Sequence, residues 1–402
     1  MKKSVVQPAP VAPVADTAAP LPVKPAGKTD AWLADLLNKN PKLFGNITGN
    51  LAEYQPQIIY TRINRNRNNI PTFTDYHYNV SDQQYFYPAS VVKMPLAFLA
   101  LQKLNDLREK GFPVDMNTTM ITGAARPAQT PVFNDPTTAN GQPCIAQYIR
   151  KIFLVSDNDA SNRLYEFLGG EYIHDQLHRM GFKSAEILHR LSVALGDEEN
   201  RHTNPIQFYN TAGVLVYEQP AQYSNHKFAA RTDKRGVGYI SGGKLVNNPF
   251  DFSRKNRLSL EDMHGLLRSV MFPDQVPEKK RFRLTESDYR FLHTCMSQWP
   301  GESASPEYSE PEIWDTYVKF LLLGAEKKAP PKQIRIFSKS GQAYGYLTDV
   351  TYIADFENGI EFMLTATIFV NKDGIFNDDK YEYETIGLPF LKNLGAVIYE
   401  EE

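Results

Sequence analysis

Ser90 and Lys93 stand three residues apart near the head of the run YFYPASVVKMPLAFLALQKL, residues 85–104. On a helix that spacing places both side chains on one face, with their polar ends within reach of each other. A serine hydroxyl is a poor nucleophile until a base takes its proton. A lysine can be that base only when desolvation or a nearby cation brings its pKa down toward neutrality. Val91, Val92, Met94, Leu96 and Phe98 supply the dry surroundings. Taken alone, the pair reads more simply as an N-cap serine followed by a lysine that snorkels to water. Ser-x-x-Lys recurs at 224–227 and 241–244, where neither copy heads an apolar helix. Pro95 removes the hydrogen bond to the Val91 carbonyl and is expected to bend or loosen the first turns.

Two further elements change the weighing. Ser156-Asp157-Asn158 lies between helical stretches, and Lys339-Ser340-Gly341 lies in an expected strand. Singly, the first reads as a helix cap and the second as a strand end with a solvated lysine. Together and in this order, S-x-x-K, S-D-N and K-T-G are the joint signature of class A β-lactamases and penicillin-binding proteins. Serine replaces threonine in the third motif, a mild change because both hydroxyls donate and accept. The chain therefore resembles the serine β-lactamase and penicillin-recognising superfamily, nearest its class A branch. VSDNDASNRLYEFLGG and IHDQLHRMGF look like the second motif and the helix pair after it, and DEENRHTNP like the stretch entering the next helix. The resemblance spans residues 30–218 and 330–402, with 219–330 longer than the usual connection and read as an insertion.

The resemblance implies the roles. Ser90 would attack a carbonyl and become acylated, and Lys93 would take its proton directly or through water. Ser156 would relay a proton to the departing nitrogen. Asn158 would bind a substrate amide and steady Lys93. Lys339 would supply positive charge to the site and to a substrate carboxylate, Ser340 would hydrogen-bond that carboxylate, and Gly341 would let the strand approach. The backbone N–H groups of Ser90 and Gln342 would form the oxyanion hole. Two lysines sharing a dry cavity repel, so one should lose its proton readily. Lys339, on a sheet edge expected to be open to water, is the one expected to stay charged. The implied substrate is a β-lactam or a cell-wall D-alanyl peptide, with a D,D-peptidase, an esterase or amidase, and a non-catalytic sensor on the same fold as alternatives. Neither metal nor organic cofactor is implied.

One departure stands out. Class A enzymes carry a glutamate on a loop after the second motif, where it activates the deacylating water. Aligning Arg190 with the arginine that opens that loop puts Ser192 at the glutamate's place. A general base is usually worth about 10²–10⁴ in rate, so acylation is expected to outrun deacylation.

The elements that must position these residues follow from pattern. Residues 57–64 and 72–79 read as strands joined by a turn at 65–69, and three strands return at 333–370 with Asn358-Gly359 as a tight turn. Helices are expected near 30–40, from Ser90, across 144–182 with glycine breaks, at 203–218, near 259–271, near 312–324 and at the C-terminus. The expected fold is α/β (α+β): an antiparallel sheet from both chain ends (28–80 and 330–402) packed with helices, plus a helical part at 81–329 that holds the inserted region. Residues 1–27, rich in Pro and Ala, read as a linker that could tether a periplasmic or cell-surface protein, with no export signal in this chain. A net charge of −2 gives no case for nucleic acid, and no apolar run is long enough for a membrane span. Composition leaves the oligomeric state open. Cys144 and Cys295 read as separate buried thiols, with a single bridge as the alternative, His174 and His178 as ordinary histidines, and Asn79-Val80-Ser81 as a chance glycosylation match.

Overall fold

The computed structural model describes residues 26–402, so the linker reading of 1–27 falls almost wholly outside the described residues. Five antiparallel strands form the main sheet, in the order Ile334–Ala343, Tyr346–Asp355, Ile360–Phe369, Gln57–Arg65, Pro71–Tyr78. The two chain ends meet where Gln57 pairs with Thr367 and Arg62 with Phe362. Gly359, at φ +69°, closes the turn between the second and third strands, and Asp355 accepts from the Glu357 and Asn358 N–H groups there.

Side chains alternate across this sheet because successive Cβ atoms point to opposite faces. On the Tyr346–Asp355 strand, Tyr346, Val350 and Tyr352 join a core with Phe98, Ile149, Leu164 and Phe208. Leu347 and Ile353 join a second core with Leu33, Phe44, Leu391 and Ile398. Helices Ala31–Lys39, Pro41–Thr48 and Leu388–Glu401 supply that second layer. With both faces covered, the Tyr346–Asp355 strand is buried along its whole length.

The helices at 144–182 fall where expected, as Ile145–Val155, Asn158–Leu168 and Gly170–Met180. A 3₁₀ turn, Ala89–Val92, leads into the helix Lys93–Glu109. Pro95 is the third residue of that helix, and with no N–H there to reach the Val91 carbonyl the preceding turn is 3₁₀ rather than α.

Two expected helices are not helices. Residues 203–218 form two short strands, Ile206–Tyr209 and Leu215–Gln219, in a sheet with Thr119–Thr122. Ile206 and Phe208 point inward with period two, and Asn210 accepts from the Ala212 and Val214 N–H groups to make the turn. Residues 312–324 are consecutive turns rather than a helix, for reasons that belong to the site. The stretch 219–330 holds short strands as well as helices Leu260–Met271 and Glu286–Ser297. Met263, Leu266, Leu292 and Met296 from those helices are part of the first core, so this stretch is not set apart from the rest. Both cysteines are buried free thiols. Asn79 accepts from the Gly27 N–H and donates to the Pro56 carbonyl at 5% exposure, which leaves no accessible acceptor for a glycan. Among the described residues, no helix is long and apolar enough to cross a membrane.

Candidate active site

Three distant parts of the chain converge on one cavity of about 420 Å³, whose lining includes Ser90, Ser156, Asn158, Ser340, Gly341 and Gln342. Each part is positioned by a local device. Ser90 lies in the 3₁₀ turn before its helix, behind Ala89 at φ +45°. Ser156 ends the helix Ile145–Val155 in the left-handed region, at φ +59°. That conformation costs a residue with a Cβ about 1–2 kcal/mol. Asp157 then caps the next helix, its side chain accepting from the Ala160 N–H at 2.7 Å. So one residue of Ser156-Asp157-Asn158 does act as a cap, while the two around it face the site.

Gly341 shows how closely the edge strand approaches the Ser90 turn. A Cβ at this position would lie 2.7 Å from the Pro88 carbonyl oxygen and 3.0 Å from the Ser90 backbone nitrogen. Any side chain would push the strand off the turn, which is the physical reason for glycine here.

The polar groups form a connected set. Lys93 is fully buried, and its Nζ donates to Asn158 Oδ1 at 2.7 Å, to Ser156 Oγ at 3.2 Å and to the Ser156 carbonyl. Lys339 Nζ donates to Ser156 Oγ at 2.8 Å and to the Ser340 carbonyl at 2.7 Å. The Ser156 hydroxyl therefore accepts from both lysines, and its own proton is what it has left to give. The Ser90 hydroxyl has no hydrogen-bond partner among the described residues and faces the cavity.

Burial sets the protonation. Desolvation pulls the Lys93 ammonium down to about 7, against a smaller opposing pull from the Asp157 carboxylate. Lys339 is held well below the ordinary lysine range, by burial first and by repulsion from Lys93 second. This corrects the expectation of a water-exposed, charged Lys339. Its strand is at the sheet edge, where the segment 312–326 bonds to the Ser338 and Ser340 side chains, but the Lys339 side chain lies on the other face against Ser156 and the residue is 2% exposed.

The covering segment also corrects Ser340. Its hydroxyl donates to the Val318 carbonyl at 2.8 Å rather than into the cavity. The segment is held by two charged residues absent from the sequence-derived set. Lys319, 1% exposed, donates to the Met296 and Ile336 carbonyls at 2.7 and 3.0 Å and to Ser338 Oγ at 3.0 Å. Asp349, fully buried on the strand paired with Ser340, accepts from the Phe320 and Leu321 N–H groups at 2.9 and 3.0 Å. Burial raises its carboxyl to about 6, against those two N–H groups and the nearby lysines. Burial lowers Lys319 to about 8. These anchors claim backbone donors that a helix over 312–324 would need. A lone charge inside an apolar run was the available signal: KFLLLG for Lys319, LTDVTYIA for Asp349.

In the loop 189–205, Ser192 Oγ accepts from Asn158 Nδ2 at 2.8 Å, so Ser192 does adjoin the site. Glu199 is paired with Arg126 at 2.6 Å, and Glu198 lies by His202. Neither is among the cavity's lining residues. His174 uses both ring nitrogens within the protein, on the Gly170 carbonyl and the Ile187 N–H. Elsewhere, Glu171, Asp175 and His226 bring ligand-type atoms within 4.8 Å of one another, though Glu171 already holds Ser224 and the His226 N–H.

The family model of the beta-lactamase enzyme family matches residues 67–285, more than half of the chain. The chain belongs to that family. Within this β-lactamase family member, the matched range holds the first two motifs and continues through part of the stretch expected to be an insertion. Among solved structures, a class A β-lactamase from Clostridium kluyveri DSM 555 is similar at TM-score 0.50 and 12% identity, covering 92% of this chain and 99% of its own. PBP-A is similar at TM-score 0.48 and 14% identity, covering 94% and 98%. A β-lactamase from Burkholderia ambifaria is similar at TM-score 0.47 and 14% identity, covering 92% and 99%. At such identities the likeness is one of fold. No curated protein matches the chain.

Proposed function

We propose that this protein is an active-site-serine acyl hydrolase that passes through an acyl-enzyme at Ser90. The observation that carries the reading is the convergence of Ser90, Ser156 and Asn158 on one cavity, with Lys93 buried behind them, hydrogen-bonded to Ser156 and Asn158 and brought to about 7 by burial. Lys93, as the free amine, takes the Ser90 proton while Oγ bonds to the substrate carbonyl carbon. The backbone N–H groups of Ser90 and Gln342 receive the developing oxyanion, where such a donor is typically worth about 3 kcal/mol in kcat. Ser156, hydrogen-bonded by Lys93 and Lys339, hands its proton to the departing atom and is reprotonated from Lys93. Water then releases the acid and restores Ser90. Ser192 gives the loop a hydroxyl where the family's deacylating carboxylate is expected, so release is the slow step.

The family resemblance supplies β-lactams and D-alanyl peptides as the substrate class, and a periplasmic or surface location. A second substrate reading, an esterase or amidase acting on another acyl group, is favoured by the Ser340–Val318 hydrogen bond. Intact-mass measurement after mixing with benzylpenicillin and, separately, with 4-nitrophenyl butanoate tests the reaction common to both. An acyl adduct with at least one donor, lost in Ser90→Ala, is expected. No adduct and no turnover with either donor, with reversible penicillin binding unchanged in Ser90→Ala, would establish a sensor instead.

A further inference from the structure

Resting on the acyl-enzyme reading, the wall formed by residues 314–325 bears on what the cavity admits. Trp314, Tyr317, Val318 and Phe320 line it together with Ser90. No lysine or arginine is among the lining residues, and the charged one is Glu384, which is exposed at this surface. Lys339 is buried and outside the lining, its Nζ donating to Ser156 Oγ and the Ser340 carbonyl, and burial disfavours its charge. The Ser340 hydroxyl is spent on the Val318 carbonyl. A substrate carboxylate entering here would meet an apolar aromatic wall and a glutamate, with neither cation nor free Ser340 hydroxyl to receive it.

The wall is not built to swing aside. Asp349 holds the Phe320 and Leu321 N–H groups, and Lys319 is tied to three acceptors behind it. Trp314 Nε1 donates to the Ala325 carbonyl at 3.0 Å, closing the segment on itself, and Thr316 Oγ1 donates to the Glu326 carbonyl. Freeing Ser340 would strand the Val318 carbonyl in the interior, and displacing the segment would strand a buried carboxylate and a buried amine, each a costly loss.

We propose that the Ser90 site selects esters or amides that carry no carboxylate beside the scissile bond: acyl donors with an apolar, neutral or cationic leaving side. Attack by Ser90 Oγ breaks the ester C–O bond, and the leaving oxygen takes the proton relayed through Ser156. Water then adds to the acyl carbon and the acid leaves, so the net change is ester plus water to acid plus alcohol.

Three butanoate esters form the test: 4-nitrophenyl butanoate, 5-butanoyloxy-2-nitrobenzoate with a carboxylate on the same chromophore, and 3-butanoyloxy-N,N,N-trimethylanilinium. Each kcat/KM, or acylation rate constant where release is slow, is divided by the ester's hydroxide-catalysed rate. The neutral and cationic esters are expected to exceed the carboxylate ester by roughly tenfold or more in Ser90-dependent rate. Glu384→Gln is expected to narrow the gap between the cationic and carboxylate esters several-fold. A carboxylate ester processed as well as the neutral one, in a reaction abolished by Ser90→Ala, would overturn the inference and leave the acyl-enzyme reading standing. An unchanged gap in Glu384→Gln would remove Glu384 from it. Rates that survive Ser90→Ala would overturn the acyl-enzyme reading beneath.

Discussion

The two sides of the cavity are built from different materials. The motif side carries Ser90, Lys93, Ser156 and Asn158 on helix ends and a 3₁₀ turn, with two of its residues following or adopting positive φ. The wall side, residues 314–325, is irregular chain hung on Lys319 and Asp349 inside the protein. Both bury lysines, but to opposite ends. On the motif side a buried amine and a left-handed serine are strain kept for chemistry. On the wall side each charged group is saturated or nearly so by partners and holds the chain in place. Lys93 and Lys319 each have three acceptors, so the difference lies in what those acceptors are: Lys93 bonds Ser156 and Asn158, which line the cavity, whereas Lys319 bonds two backbone carbonyls and Ser338, away from it.

This comparison breaks most sharply at the nucleophile. Ser90→Ala should lower Ser90-dependent acylation by roughly 10⁴-fold or more with little change in the urea midpoint, as measured by stopped-flow and denaturation. Lys93→Met should cut acylation by about 10²–10⁴ and also lower the urea midpoint, because Asn158 Oδ1 and the Ser156 carbonyl lose their buried donor. A Lys93→Met protein that acylates as fast as the wild type would place Lys93 with the wall residues.

Asp349→Ala should show the reverse of Ser90→Ala. Removing the acceptor of two buried N–H groups and the partner of nearby lysines should cost about 3–5 kcal/mol in urea titrations, with a change in tryptophan emission as the segment holding Trp314 loosens. Gly341→Ala lies between the two sides, since its Cβ would press on the Pro88 carbonyl and the Ser90 nitrogen. Overpacking of this kind costs about 1–3 kcal/mol, and the acylation rate should fall along with stability.

The smallest effect is pH dependence, and its sign separates activity from stability. Acylation should rise tenfold per pH unit below about 7 and level above it as Lys93 loses its proton. Lys93 and Lys103 are lowered to about 7 and Lys319 to about 8 by burial. Each binds its proton less tightly folded than unfolded, so the unfolded chain holds more protons between about 7 and the ordinary lysine value of 10.5. Stability should therefore rise with pH across that window, a trend visible in thermal melts. A fall in stability from pH 7 to 9 would mean that these amines are charged in the native state.

The motif side was open to reading from the chain because its information is local. Ser90 and Lys93 share a helical face by spacing, Ser156-Asp157-Asn158 sits at a helix junction, and Lys339-Ser340-Gly341 lies on a strand whose alternation is plain. The sheet from both chain ends was open for the same reason, since period-two runs and the Asn358-Gly359 turn are properties of a few consecutive residues. The helix wrongly expected at 203–218 fails where four-residue strands carry too little pattern to tell period two from 3.6. That at 312–324 fails because Asp349, on a strand 28 and 29 residues further along, takes the backbone donors of Leu321 and Phe320. The direction of the Ser340 hydroxyl follows from that same segment folding over the sheet edge, and the lowering of Lys339 from its burial against Ser156 and Lys93. Residue types and spacing set which groups could react. Desolvation and the partner of each buried hydroxyl depend on atoms remote along the chain, so only the packed structure decided which of those groups stay neutral and which are already spoken for.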